Sequence, residues 1–225
     1  MVGGGGILAA VLGAQFGGPV GAALAGVVFL IGSGAAALGL ALSYPHGRLG
    51  LCNGITVARL ALTASLAGLL AGDGNLPEAM MWLAFGIAIF SLALDGVDGW
   101  AARRSGLTSD FGARFDMEVD AAFALLLSVL AYHTGQAGLW VLILGVPRYL
   151  WVMAGWLWPW LAVPLDERFS RKVVCVLQIG TLTAFLAPIV PAAVLTLAAV
   201  CASGALLWSF QRDIRHLAKT RLSRS

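Results

Sequence analysis

Charge is what this chain has least of. Only 11% of its 225 residues are Asp, Glu, Lys or Arg, against 60% hydrophobic residues and a mean hydropathy of +0.89. Soluble domains carry roughly 25% charged residues, so the composition excludes one and points to an integral membrane protein. Cysteine is scarce as well. Cys52, Cys175 and Cys201 are scattered and flanked by apolar residues, with no CxxC spacing, which excludes a disulfide framework or a thiolate metal site and leaves core thiols. His46, His133 and His216 are isolated at expected helix ends and read as loop residues, not ligands. The glycine-rich start, MVGGGGILAAVLGAQFGGPVG, holds no charged side chain. A secretory signal needs a basic n-region and a shorter apolar core, so no cleavage is expected and residues 19–43 read as a retained helix. No period of 20–50 residues recurs, so there is no internal repeat.

Long apolar runs are plentiful. Stretches at 19–43, 54–72, 77–102, 112–133, 138–163, 172–189 and 191–211 are each near the length that crosses a bilayer core of ~30 Å. Backbone groups in lipid must be satisfied within the segment, so these are expected to be helices. The expectation is an all-α integral membrane protein with about seven transmembrane helices. Arg48, Arg103, Arg104, Arg168, Arg171, Lys172 and the tail from Arg212 to Arg224 fall at alternate helix ends, whereas the loops at 71–79, 132–138 and 187–191 hold no Lys or Arg. The basic side is therefore cytoplasmic, in an inner or plasma membrane. The tail itself, RDIRHLAKTRLSRS, reads as a solvated run near anionic headgroups. Eight tryptophans, five of them between Trp140 and Trp160, mark lipid interfaces and packing.

Against this apolar background the stretch from Asp95 to Asp120 stands out: DGVDGWAARRSGLTSDFGARFDMEVD. Asp95, Asp98, Gly99 and Ala102 fall at i, i+3, i+4 and i+7, one face of a helix. Gly112, Asp116 and Asp120 fall at i, i+4 and i+8, one face of the next. Ionisable groups are costly to keep in lipid, and four phased carboxylates argue for function over packing or a proton relay. Carboxylate oxygens suit hard divalent cations, and Mg²⁺ commonly shares its shell with substrate phosphates. The small residues leave the helix surface bare for a ligand, and Arg103 and Arg104 stand where phosphate oxygens could be held.

The spacing Asp95-x2-Asp98-Gly99-x2-Ala102-Arg103-x8-Gly112-x3-Asp116-x3-Asp120 resembles the signature of the CDP-alcohol phosphotransferases, with all eight fixed positions present over 26 residues. The resemblance runs from about Leu49 to the C-terminal tail. It implies a membrane enzyme that moves a phosphoalcohol group from a CDP-alcohol to an acceptor hydroxyl and releases CMP. It also implies that Asp95, Asp98 and Asp116 bind Mg²⁺ or Mn²⁺, two ions being favoured, and that Asp120 sits at the metal site as general base. Gly99, Ala102, Arg103 and Gly112 would line the nucleotide and diphosphate pocket. Family members are commonly built on six helices, so the chain divides into an N-terminal segment with one extra helix (1–48), a catalytic domain (49–211) and a basic tail (212–225). Every motif residue follows Arg48, so the extra helix is expected to be dispensable for chemistry, with its Met1 end facing away from the cytoplasm. Its GAALAG and GSGAAALG runs suit close helix packing or a homodimer contact.

Polar residues outside the motif carry weaker signals. Asn53, Thr56 and Arg59 begin the second helix and are similar to a family pattern that implies lining beside the nucleotide; a helix N-cap at Asn53 is the alternative. Arg148 in VPRYLW falls mid-segment, where it needs a motif aspartate or an anionic substrate. Arg171 and Lys172 open a later helix, similar to the family's basic loop facing the acceptor. Phosphatidylglycerolphosphate synthases carry Pro and Lys after the third and fourth aspartates, where this chain has Met117 and Ala121. The reading is thus a CDP-diacylglycerol donor and a small hydroxyl acceptor, with a polyol phosphate favoured by the three cations. No nucleic acid partner is expected. An aminoalcohol phosphotransferase acting on diacylglycerol fits the same motif. A prenyltransferase would spread its Asp-rich motifs over a longer chain, and a cation transporter leaves the small-residue stripe and Arg103 without a role.

Overall fold

The computed structural model describes residues 2–43, 51–105, 110–163 and 168–222, with side chains at 2–41, 53–97, 111–163 and 168–220. Among these residues every regular element is helical. In chain order they are α1 (Val2–Ser43), α2 (Leu51–Leu66), α3 (Glu78–Ser105), α4 (Asp110–His133), α5 (Pro147–Leu157), α6 (Phe169–Ala184) and α7 (Ala192–Leu222), with short 3₁₀ turns at Ala67–Ala71, Leu139–Leu144 and Pro159–Ala162. Among the described residues four stretches are long and apolar enough to cross a bilayer: Val2–Ala41, Asn53–Ala71, Glu78–Val97 and Ala192–Thr220. The chain forms two compact units, Met1–Leu126 and Leu127–Ser225.

α1 departs most from the sequence reading. The glycine-rich start is helical from Val2, and the element is broken at Gly17 and Gly18, with Pro19 opening its second half. Gly18 has φ 58° and ψ −144°, a region open essentially to glycine alone. The break folds α1 into a hairpin. In a straight helix Gly5 and Phe29 would lie about 36 Å apart, yet a Cβ on Gly5 would come within 2.7 Å of the Phe29 ring. Gly13 faces Ala25 and Gly21, and Gly68 beyond α2 comes so close to Gly13 that an added Cβ would stand 2.5 Å from its carbonyl oxygen. Gly5 also faces Val57 near the start of α2. The first residues of α1 are thereby carried back toward the part of the unit where α2 begins, while Arg48, against which the N-terminus was expected to be oriented, lies outside the described residues. Gly21 and Ala25 of the GAALAG run take part in this internal packing. Between helices in lipid, close van der Waals contact over small residues takes the place of a hydrophobic drive.

The core of the first unit joins α1, α2 and α4. Ala25, Phe29, Leu60, Ala61, Ala64, Phe111, Phe115 and Val119 are buried together. Phe111 and Phe115 stack with ring centroids 6.0 Å apart, and Phe111 lies against Gly39, where a Cβ would meet its ring at 2.6 Å. On α4 the apolar stripe Phe111–Phe115–Val119 precedes Gly112–Asp116–Asp120 by one residue. Burying the first stripe therefore aims the second about 100° around the same helix.

In the second unit, the apolar run 138–163 is three short pieces and not one span. Pro147 opens α5 and Pro159 opens the last 3₁₀ turn, and proline supplies no N–H to continue a helix through it. The 11 residues of α5 reach only about 16 Å. Gln178 Nε2 donates to the Leu144 carbonyl, and Trp151 meets Phe210 edge to face at 5.5 Å. Helix α7 continues through Leu222, so residues 212–222 extend it and are not a free tail. Cys175 and Cys201, expected in the core, are exposed, while the side chain of Cys52 lies outside the described residues.

Gly18→Ala is expected to destabilise the protein by roughly 1–3 kcal/mol, the cost of forcing a Cβ into that backbone region. Gly26→Ala, with nothing within 4 Å of its added Cβ, should be neutral or stabilising by up to about 1 kcal/mol. Unfolding midpoints of the two variants in detergent check the contrast.

Candidate metal centre

Three helices of the first unit deliver the charged groups. α3 runs unbroken past Asp95 to Ser105, so the backbone of Asp98, Gly99, Ala102 and Arg103 continues the helix. The side chains of these four lie outside the described residues. α4 holds Gly112, Asp116 and Asp120 in its first half. α2 brings Asn53, Thr56 and Arg59, all buried, with Arg59 only 1% exposed. Asn53 stands third in α2, inside the helix and not at its cap.

The carboxylates of Asp95, Asp116 and Asp120 converge, with one oxygen from each lying within 4.8 Å of the others. Arg59 reaches into their midst. Its Nη1 pairs with Asp95 Oδ1 at 2.8 Å and also with Asp116 Oδ1, and its Nη2 pairs with Asp120 Oδ1. Carboxylates at such distances repel by about 3–4 kcal/mol per pair at an effective dielectric of ~20. A planar guanidinium with several donors in a fixed fork can bridge them, which a lysine ammonium does less well. Three carboxylates and one guanidinium leave two negative charges over. The aspartate side chains stay 34–42% exposed, so the charge is reachable from outside while Arg59 is sealed beneath it.

The donor set fits a hard divalent cation. Two oxygens on opposite sides of Mg²⁺ lie at most about 4.2 Å apart, given bonds of ~2.1 Å, so three oxygens already within 4.8 Å need only a small inward movement. The chemistry is all-oxygen and anionic, which suits Mg²⁺ or Mn²⁺ over softer metals.

The sequence ranked Arg59 as nucleotide lining, and its ion pairs with three motif aspartates were missed. The only available signal was its place on the polar face of α2 with Asn53 and Thr56. Thr63, one turn further on, is also 1% exposed, with a buried hydroxyl that has no hydrogen-bond partner among the described residues. The three cations assigned to the acceptor all belong to the second unit. Arg148 sits in the first turn of α5 and not mid-helix. Arg171 Nε donates to Asp213 Oδ2 at 3.2 Å, and Lys172 is exposed. Arg212, which the sequence left in a solvated tail, donates from Nη2 to Ser170 Oγ at 2.9 Å and lies 4.8 Å from the Trp208 ring.

Compared with known protein families, the chain matches the family described as CDP-alcohol phosphatidyltransferase over residues 49–208, a span that holds α2 to α6, all four motif aspartates and Arg59. No curated protein and no solved structure matches it.

Arg59→Gln should leave three carboxylates facing one another without their counter-charge. Removing one partner of a buried pair costs roughly 3–5 kcal/mol, and the partial exposure of the aspartates lowers this to about 2 kcal/mol. The unfolding midpoint measured in chelator should fall, and millimolar Mn²⁺ should restore more of it in the variant than it adds to the wild type.

Proposed function

The chain belongs to the CDP-alcohol phosphatidyltransferase family, and from that premise we propose that it transfers the phosphatidyl group of CDP-diacylglycerol to a small hydroxyl acceptor. Members are phosphotransferases of phospholipid synthesis that take a phosphatidyl group from a CDP-alcohol. The observation that carries the reading is the convergence of Asp95, Asp116 and Asp120 within 4.8 Å, from two helices whose spacing pattern matches the family's. Asp98, one helical turn after Asp95 on α3, completes the proposed ligand set.

In the proposed reaction the acceptor oxygen attacks the phosphorus that bears the diacylglycerol. The bond from that phosphorus to the CMP oxygen breaks, CMP leaves with the bonding pair, and Asp120 takes the hydroxyl proton. Divalent ions at the aspartates, Mg²⁺ or Mn²⁺, supply charge neutralisation on the diphosphate and on departing CMP. Gly99, Ala102 and Gly112 leave backbone open for the nucleotide, Arg103 pairs with phosphate oxygens, and Asn53 and Thr56 add polar lining. Positioning of the acceptor hydroxyl against Asp120 supplies much of the acceleration. Arg59 is a positioning residue: it sets the spacing of Asp95, Asp116 and Asp120 from a site with almost no solvent.

Helices α2 to α6 and the first two thirds of α7 make up the proposed six-helix catalytic unit, residues 49–211, with α1 added before it. The alternation of basic residues along the sequence supports a site that opens to the cytoplasm, where CDP-linked substrates are available. Arg148, Arg171 and Lys172 support an anionic acceptor, a polyol phosphate such as glycerol phosphate or inositol phosphate, since a neutral alcohol needs fewer cations.

Asp120→Asn should abolish CMP release from CDP-diacylglycerol while leaving the fold and donor binding in place, because an amide cannot accept the proton. A purified variant turning over at near the wild-type rate would remove Asp120 from the role of base. Arg148→Ala and Lys172→Ala should raise the acceptor KM by roughly tenfold or more, the value of one charge-assisted contact, with little change in the donor KM. Equal effects on both substrates, or efficient use of an uncharged alcohol by the wild type, would overturn the anionic acceptor.

A further inference from the structure

The first unit has an apolar cavity of about 330 Å³. Its walls come from three helices: Gly4 and Leu8 of α1, Gly54, Ile55 and Ala58 of α2, and Leu94 of α3. Two of these residues adjoin the cluster in the chain, Leu94 before Asp95 and Ala58 before Arg59. Among the described residues, no charged side chain lines it. At Gly4 an added Cβ would meet nothing within 4 Å, and Leu8 is 40% exposed, so the cavity is open along its α1 side. The α1 wall lies outside the matched residues 49–208; this chain supplies it with its N-terminal hairpin.

We propose that this cavity receives an acyl chain of the lipid donor, a proposal that rests on the phosphatidyl-transfer reading. A phosphatidyl group carries its two acyl chains only a few bonds from the reacting phosphorus. With that phosphorus at the aspartates, a chain must pass at once into apolar surroundings, and the cavity begins one residue from both Asp95 and Arg59. Its volume is that of a small-molecule pocket, and its open α1 side admits a chain laterally from the bilayer without dragging it past the charges. The hairpin of α1 is then a determinant of donor specificity, where the sequence had assigned it no part in the chemistry.

Gly4→Leu fills the open space at a helical position that tolerates leucine, so the variant is expected to fold with an unchanged unfolding midpoint. Its KM for a CDP-diacylglycerol with sixteen-carbon chains should rise roughly tenfold, the effect of displacing two or so buried methylenes. Its KM for the six-carbon analogue should stay at the wild-type value. A KM unchanged for both donors, or raised equally for both, would overturn the proposal. Independently of turnover, CDP-diacylglycerol bearing a photoreactive group on its acyl chain should label α1 near Gly4 and Leu8 in the wild type. Unlabelled CDP-diacylglycerol should suppress that labelling. Labelling that persists under this competition, or equals that from a photoreactive phosphatidylcholine, would mean that bulk lipid fills the cavity and would sink the proposal. If wild-type enzyme released no CMP from either donor, the phosphatidyl-transfer reading would fall instead, and competed labelling would still locate the acyl chain.

Discussion

A single guanidinium among three carboxylates sets the geometry of the first unit. Arg59 is sealed from solvent, and each aspartate it holds comes from α3 or α4. Turning any of the three helices by one residue rotates its side chain by about 100° and shifts it 1.5 Å along the axis. That movement would leave a charge stranded against an apolar wall, at several kcal/mol. The ion pairs therefore act less as a source of net stability than as a register, one that tolerates only one relative rotation of α2, α3 and α4. Arginine suits this place because its donors lie in one plane and it stays charged when buried.

Packing alone would specify this arrangement less sharply. In lipid, apolar side chains gain little by meeting one another, because the alternative partner is equally apolar. Contacts must be close to count, and the first unit makes them close through glycine. Gly13, Gly21 and Gly68 bring backbones together, and Gly39 admits the ring of Phe111. The phenylalanine stripe of α4 is thereby locked onto α1 and α2, and the adjoining stripe of Gly112, Asp116 and Asp120 is held at a fixed angle to Arg59. One helix does two jobs with neighbouring faces.

Much of the centre was legible because it is local in sequence. Helical spacing alone placed Asp116 with Asp120 and gave Asp95 its own stripe, and the residue types announced an oxygen-rich cation site. What the sequence could not display was a partner 36 residues upstream of Asp95: Arg59 differs in no local respect from an interfacial arginine, and only the packing of α2 turns it inward. The α1 hairpin was hidden for a different reason. A run of glycine and alanine with one proline has almost no periodicity, and Gly17 and Gly18 are two among many glycines in it. Its role appears only in the backbone, where Gly18 takes a conformation with positive φ. The run from 138 to 163 misled in the opposite direction, because hydropathy registered its length and overlooked what Pro147 and Pro159 do to helix continuity.

Charge and lipid meet in this unit under a demand that few sites face, since the substrate of a phosphatidyltransferase is polyanionic at one end and hydrocarbon at the other. The cluster of Asp95, Asp116, Asp120 and Arg59 carries two uncompensated negative charges, matched in magnitude by one divalent ion. Asp98 adds a further charge in the turn after Asp95. Such a deficit attracts cations, and in the proposed reaction a diphosphate would be drawn only through them, so the anionic donor would not simply be repelled by the aspartates. The hydrocarbon end needs the reverse environment within a few bonds. In the proposed reading the chain meets that need by changing character abruptly along its own helices: Ala58 gives way to Arg59 on α2, and Leu94 to Asp95 on α3. The boundary between the two solvents is one residue wide, and the register set by Arg59 keeps it aligned on both helices.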